Sequence, residues 1–165
     1  MLKFILLSFL LSSTLFSYDS NKEVYSFINL GATQASITSQ SGIESDTENG
    51  FNIEFGATRV WNSGVLASFS MEYGHVSILD QDINTFGGDI KLGYQYKDFS
   101  AFVIGSGIYQ SLDTNDAAGF GYGAGFEYIP FDHVGLGVEY KTYNMTSNYF
   151  EYDFNVAKAY LKILF

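Results

Sequence analysis

His75 and Ser77 stand two residues apart, with Asp89 fourteen residues after His75. Residues two apart in an extended strand share a face. An imidazole so placed could take the serine proton and activate it against an acyl ester. A carboxylate that orients the imidazole would complete a triad. That chemistry needs Asp89 on the same face as His75, and the alternation described below predicts it on the opposite one. The plainer reading of His75 is a residue at the base of a loop.

A second set is larger. Glu54, Glu72, Asp89, Lys91, Glu127, Glu139, Lys141, Lys158 and Lys162 all fall on the polar face of alternating segments. Charges held at membrane depth persist when they are paired or wet. The set predicts a salt-bridged plug; a narrow ion path gated by partner exchange is the alternative. A third set is acidic: Glu44, Asp46, Glu48, Asp80, Asp82, Asp113, Asp116 and Glu151 lie in segments read as loops, which hold no Lys or Arg, and Asp153 follows the last of them at the start of a strand run. Oxygen ligands suit Ca²⁺ or Mg²⁺, but no loop has ordered ligand spacing, so no metal site is assigned. No cofactor motif is present. The chain lacks cysteine, which removes disulfide and thiolate chemistry.

The elements that must position these residues follow from period-two alternation. Eight runs are long enough to cross a bilayer at a tilt, which takes ~9–11 residues: 24–35, 50–60, 64–74, 85–96, 99–110, 119–129, 134–143 and 153–165. In the second, Phe51, Ile53, Phe55 and Ala57 oppose Asn52, Glu54, Gly56 and Thr58; in the sixth, Phe120, Tyr122, Ala124, Phe126 and Tyr128 oppose three glycines and Glu127. The fifth run is ambiguous, because both faces carry apolar residues. Phe102, Ile104 and Ile108 are assigned outward there. In this register twelve of the seventeen glycines face inward: Gly31, Gly56, Gly74, Gly87, Gly93, Gly105, Gly107, Gly121, Gly123, Gly125, Gly135 and Gly137. Small residues inside an eight-stranded barrel leave room for long charged ones.

Connections alternate between short turns (61–64, 97–98, 130–133) and longer polar segments (36–49, 75–84, 111–118, 144–152). Transmembrane barrels have short periplasmic turns and longer external loops. A soluble sandwich or lipocalin-like barrel also alternates. Two features point away from it: the glycine-rich, charged polar face, and aromatics at both ends of the apolar face. Trp61, Tyr96 and Tyr128 form one rim; Phe51, Tyr73, Phe86 and Phe120 form the other. These are the girdles of a membrane interface.

Residues 1–17 are read apart from the fold. Lys3 precedes the apolar run 4–11, and small residues follow at Ser12, Ser13 and Ser17, the pattern of a secretory signal peptide. Cleavage is expected after Ser17, leaving a barrel over 18–165. The whole chain carries −10, and loss of Lys3 makes the remainder −11. An acidic protein has no footprint for nucleic acid.

On these strands, and on the terminal stretch Ala157 to Phe165, the chain resembles the small eight-stranded outer-membrane barrels of the OmpA-transmembrane-domain and OmpX type, often described as porin-family proteins. The resemblance implies an all-β, up-and-down transmembrane barrel, a bacterial outer-membrane location, a monomer, and contact with outer-membrane lipid and lipopolysaccharide. It also implies that Leu161, Ile163 and Phe165 are read by the barrel-assembly machinery. Unlike its larger relatives the chain is expected to carry no peptidoglycan-binding domain, so tethering to the cell wall is not implied. The His75-Val76-Ser77 pattern resembles that of lipid A deacylase barrels, but Ile78 stands where those have Asn, and the motif lies mid-chain. The expected activity is therefore non-enzymatic: envelope structure, or interaction with an unidentified surface ligand through the acidic loops. A lipid A esterase and a narrow pore are the alternatives.

Overall fold

In the computed structural model, described over residues 24–39, 47–78, 81–111, 116–147 and 151–165, eight antiparallel strands close into one barrel in sequence order. The strands are β1 (Val24–Ser39), β2 (Glu48–Val60), β3 (Val65–Ile78), β4 (Gln81–Tyr96), β5 (Phe99–Ser111), β6 (Asp116–Phe131), β7 (Val134–Ser147) and β8 (Glu151–Leu164). The expected leader and cleavage point lie outside the described residues. Closure runs through β1 and β8, where Phe27 faces Leu164 and the Phe165 amide donates to the Ser26 carbonyl at 2.9 Å.

The register fixes the geometry. A path of cross-strand partners runs Val24, Arg59, Ala67, Leu92, Val103, Ala124, Tyr140, Ala157 and returns to β1 at Gln34, ten residues along. Eight strands with that stagger tilt by about 40° and enclose a cylinder of about 8 Å radius. Side chains fill such an interior. Turns at one end are tight. Gly64 adopts φ +86°, a conformation that favours glycine, and its amide bonds the Trp61 carbonyl at 2.7 Å. Pro130 sits where the β6–β7 register shifts between Tyr128 and Phe131, a bulge that tolerates its missing donor.

At the other end the strands run further than the sequence suggested. They are 13–16 residues long, more than a bilayer requires. Much of 36–49, 75–84, 111–118 and 144–152, read as loop, is barrel wall; β3 and β4 leave only residues 79–80 between them. The reason is a phase inversion. Along the lower wall the outward face is apolar, and the inward face carries the buried charges beside a few apolar residues such as Phe27 and Phe102. Above Tyr73 on β3, His75 and Ser77 point out while Val76 and Ile78 are buried. On β8, Asp153 faces out while Tyr152 and Phe154 are buried. A wall surrounded by water needs a polar exterior and an apolar interior, the reverse of one surrounded by lipid.

Strand β5 corrects the assigned phase. Phe102, Ile104 and Ile108 point inward and are buried, with Ser100, Ser106 and Gln110 on the same face. Outward stand Phe99, Val103 and Tyr109 with Gly105 and Gly107, so those two glycines leave the inward set. Two neighbours make room for Phe102: a Cβ on Gly93 would lie 2.6 Å from its Cβ, and one on Gly125 would lie 2.7 Å from its ring. The assigned phase would have put Ser100, Ser106 and Gln110 on the apolar exterior, with no partner for their hydrogen-bonding groups. The other strand phases agree with the sequence reading.

Candidate functional site

The lumen is stratified. All nine expected charged residues face it and are buried. Seven converge in one layer. Lys91 Nζ lies 2.5 Å from Glu139 Oε1 and 2.7 Å from Glu54 Oε1. Lys158 Nζ lies 2.7 Å from Glu54 Oε2, 2.9 Å from Glu139 Oε2 and 3.5 Å from Glu72 Oε2. Lys141 Nζ lies 2.6 Å from Glu72 Oε1 and 3.0 Å from Asp89 Oδ2. The remaining two form a separate pair nearer the tight-turn end: Lys162 Nζ meets both Glu127 oxygens at 2.6 and 2.7 Å, and the Tyr160 hydroxyl donates to Glu127 at 2.7 Å.

Strand geometry dictates this pairing. Glu54 and Glu72 are direct cross-strand partners, and like charges placed so repel. Lys158, reaching from β8, lies between them. Glu139 and Lys158 are cross-strand partners of opposite sign. Neutral groups complete the carboxylate shells: Asn29 donates to Glu54 at 3.0 Å, Asn52 to Glu72 at 3.1 Å and Ser106 to Asp89 at 2.5 Å. The Tyr143 hydroxyl also donates to Glu72 at 3.3 Å. Lys91 and Lys162 sit over the faces of Phe102 and Phe27, at 5.3 and 4.1 Å, where a ring quadrupole favours a cation. Carboxylate oxygens of Glu54, Glu72 and Asp89 lie within 4.8 Å of one another. Oxygen donors in that arrangement could hold a cation, but Lys141 and Lys158 already contact them.

Apolar layers bound the charges. Toward the external end, Ala35, Val76, Ile78, Ile83, Ile108, Ala117, Tyr143, Met145, Tyr152 and Phe154 form one buried cluster. Toward the tight turns, Tyr25, Phe27 and Leu164 form a second and Leu66, Phe102 and Ile104 a third. The sequence reading did not foresee this upper lid: Val76, Ile78, Ile83, Ala117, Met145 and Tyr152 lay in presumed loops, Ile108 was assigned outward, and Ala35, Tyr143 and Phe154 stood at strand ends. The missed signal was alternation that persists with inverted phase, as in Val76–Ile78 and Tyr152–Phe154. A cavity of about 30 Å³ between lid and charges is lined by Asn52, Glu72, Thr85, Lys141 and Tyr143 among others. It has room for about one water.

The serine-histidine pattern stands outside the barrel. Ser77 donates to Asp82 at 2.5 Å, and His75 Nε2 lies 3.9 Å from the same Asp82 oxygen. His75 Nδ1 is 3.1 Å from Asn84 Oδ1, which also accepts from Tyr73 at 2.8 Å. The carboxylate therefore stands between serine and histidine, whereas a triad places histidine between the other two. Asp89 lies across the wall, bonded to Ser106 and Lys141. Of the acidic set, Glu48, Asp82, Asp116, Glu151 and Asp153 are exposed on strand ends at the external rim, not on loops. Glu44, Asp46, Asp80 and Asp113 lie outside the described residues.

The exterior below that rim is apolar and ringed by aromatics. Phe51, Tyr73 and Phe86 pack in succession across β2, β3 and β4, with centroids 6.2 and 5.1 Å apart. Near the tight turns, Phe99 stacks on Tyr128 at 4.5 Å, and Arg59 lies 5.1 Å over Trp61. Leu161 and Phe165 are exposed along the outer face of the last strand and its end, with Ile163 half-buried between them.

Comparison with known proteins agrees with this architecture. Residues 4–162 match the family described as the outer membrane protein beta-barrel domain. No curated protein sequence matches the chain. Among solved structures, the Neisserial surface protein A is similar over 85% of this chain and 97% of its own, with TM-score 0.59 and 15% identity. Ail, the attachment invasion locus protein of Yersinia pestis, is similar over 87% of this chain and all of its own, with TM-score 0.61 and 13% identity. A second Ail structure, in complex with the heparin analogue sucrose octasulfate, matches with TM-score 0.56 at 14% identity.

Proposed function

From the premise that the chain belongs to the outer membrane protein beta-barrel family, and so is a bacterial outer-membrane protein with buried charge pairs, we propose that it is a non-enzymatic scaffold presenting an acidic external rim to a partner. The observation that carries this reading is the layered lumen: an apolar lid, a charge-paired middle and an apolar floor, all built from wall side chains. A filled interior supports a scaffold over a channel. The absence of a histidine between Ser77 and its carboxylate supports it over an esterase.

The rim narrows the partner. Exposed Glu48, Asp82, Asp116, Glu151 and Asp153 repel polyanions such as the sucrose octasulfate bound by Ail. A protein with a basic surface, or lipopolysaccharide phosphate bridged by divalent cations, complements the rim. The working unit is a monomer, and Leu161, Ile163 and Phe165 serve as its assembly signal.

Three measurements test the proposal. Planar-bilayer recordings of the purified protein are expected to show no conductance steps; discrete steps would reinstate the pore. Lipid A acyl profiles of cells expressing wild type and Ser77→Ala are expected to match, and a profile change lost in the variant would reinstate the esterase. Charge reversal of Asp82, Asp116 and Asp153 to Lys should abolish capture of a basic protein probe such as lysozyme; unaltered capture removes the rim from the proposal.

A further inference from the structure

The charged layer of the lumen does not balance. Glu54, Glu72, Asp89 and Glu139 are four acids; Lys91, Lys141 and Lys158 are three bases. The lower pair, Glu127 and Lys162, is neutral by itself. No arginine or histidine is buried among the described residues. Ionised throughout, the layer would hold one uncompensated negative charge between the apolar lid and the apolar floor. We propose that it binds one hydrogen ion at neutral pH, and that Asp89 holds it on Oδ1 as a carboxylic acid.

Burial carries the first step. None of the four acids is more than 7% exposed. An unpaired charge in such surroundings is costly enough that the group neutralises instead. A metal ion is the other way to restore balance, and carboxylate oxygens of Glu54, Glu72 and Asp89 do lie within 4.8 Å of one another. The small cavity beside the layer is nevertheless lined by Lys141 and Lys158, whose ammonium groups repel a cation, and Asp89 does not line it. A hydrogen ion needs no cavity.

Hydrogen bonding then selects the atom. A carboxylic acid is a donor and needs an acceptor within reach, and ammonium and amide N–H groups accept nothing. Glu139 has Lys91 on one oxygen and Lys158 on the other. Glu54 has Lys91 on Oε1, with Lys158 and the Asn29 amide on Oε2. Glu72 has Lys141 beside the Tyr143 hydroxyl on Oε1, and the Asn52 amide beside Lys158 on Oε2. Asp89 differs. Its Oδ2 meets Lys141, but among the described residues its Oδ1 meets the Ser106 hydroxyl alone, and a hydroxyl can accept. Its cross-strand partners on both sides are the neutral Ser70 and Ser106, whereas Glu139 stands opposite Lys158.

Protonation reverses the Ser106 bond. Asp89 becomes the donor, and the serine hydrogen turns to the Tyr143 hydroxyl at 3.1 Å or the Gly88 carbonyl at 3.4 Å. Tyr143 donates in turn to Glu72. The acid, the serine and the tyrosine thus form one row that ends on a carboxylate held by Lys141, and every donor in the row has an acceptor. The layer then carries three carboxylates and three ammonium groups, so the strands close on it without a counter-ion from either side of the membrane. This charge state is independent of what the external rim binds.

The test is infrared spectroscopy of the full-length folded protein at pH 7, in dodecyl maltoside micelles, which lack the ester carbonyls of lipid. A protonated carboxyl absorbs apart from carboxylates and backbone amides. Wild type is expected to show one such band. Labelling aspartate side-chain carboxyls with ¹³C should shift it, and labelling glutamate should not; Asp89 is the one buried aspartate among the described residues. Asp89→Asn keeps a carbonyl for Lys141 and an N–H for Ser106, and should lose the band. Asp98→Asn, exposed in a tight turn, should keep it. Heat-modifiable gel mobility verifies closure of both variants. The labelling involves no substitution, so it decides the matter even where Asp89→Asn does not close. A wild-type spectrum without the band, a band that shifts with labelled glutamate, or a band that persists in folded Asp89→Asn would each overturn the proposal.

Discussion

Lys158→Met tests whether the lumen is dry and charge-paired or merely crowded. The Lys158 ammonium is buried and lies within 3.5 Å of Glu54, Glu72 and Glu139. Methionine keeps an apolar stem of similar reach and removes the charge. The lumen then holds five acids and three lysines instead of five and four, and the cross-strand pair Glu54–Glu72 loses the cation between its members. Removing one partner from a buried network costs about 3–5 kcal/mol. Glu54→Gln keeps an acceptor oxygen while restoring the charge difference, so the double variant should be less destabilised than the sum of the singles by about 0.5–3 kcal/mol, the span of measured couplings between contacting residues. The assay is urea unfolding from phospholipid vesicles. Fluorescence of Trp61, the sole tryptophan, reports the rim near the tight turns, and gel mobility reports barrel closure. A single-variant loss under about 1 kcal/mol with additive doubles would match solvated surface pairs. It would refute the sealed lumen and with it the case for a scaffold.

Three further outcomes follow from side-chain placement. Phe102→Ala should cost about 3–5 kcal/mol in the same unfolding assay, whereas Val103→Lys, on the lipid face, should cost about 2–4 kcal/mol only when unfolding is measured from a bilayer; reversed sensitivities would restore the opposite phase for β5. Gly137→Ala should destabilise by about 1–3 kcal/mol through overpacking against Tyr160, while Gly105→Ala should be neutral or stabilising by up to about 1 kcal/mol. Phe154→Ala opens the upper lid at a cost of about 3–5 kcal/mol and should raise amide hydrogen exchange at the external ends of β7 and β8 before the lower wall, a difference that mass spectrometry of the exchanged protein reads directly.

Fold class and strand count were legible because the expected wall must satisfy one rule on every strand. Residues such as Phe51, Ile53, Leu136 and Val138 face an apolar surrounding, and Glu54, Glu139 and Lys158 must face away from it. That rule acts residue by residue, so it is written in the order of the chain. Strand β5 escaped it because both of its faces are largely apolar: Phe102, Ile104 and Ile108 inside, Phe99, Ala101 and Val103 outside. Its polar residues held the answer, since Ser100, Ser106 and Gln110 share one phase and can share only the interior. The upper wall escaped for a different reason. There the surroundings change from lipid to water, the alternation inverts, and polar outward residues such as Ser77 and Asp82 imitate a loop.

The sequence by itself determined which side chains enter the lumen along the lower wall of seven strands, because alternation is a local property of the pleat. Only the tertiary structure decided their partners. Lys158 meets Glu54 across 104 residues of chain, and Lys141 meets Glu72 across 69, because a ten-residue stagger in an eight-stranded cylinder brings those positions to one layer. It also decided that Asp89 answers to Lys141 and Ser106 and not to His75. Stagger and closure arise from pairings between distant strands, and no local pattern of residues encodes them.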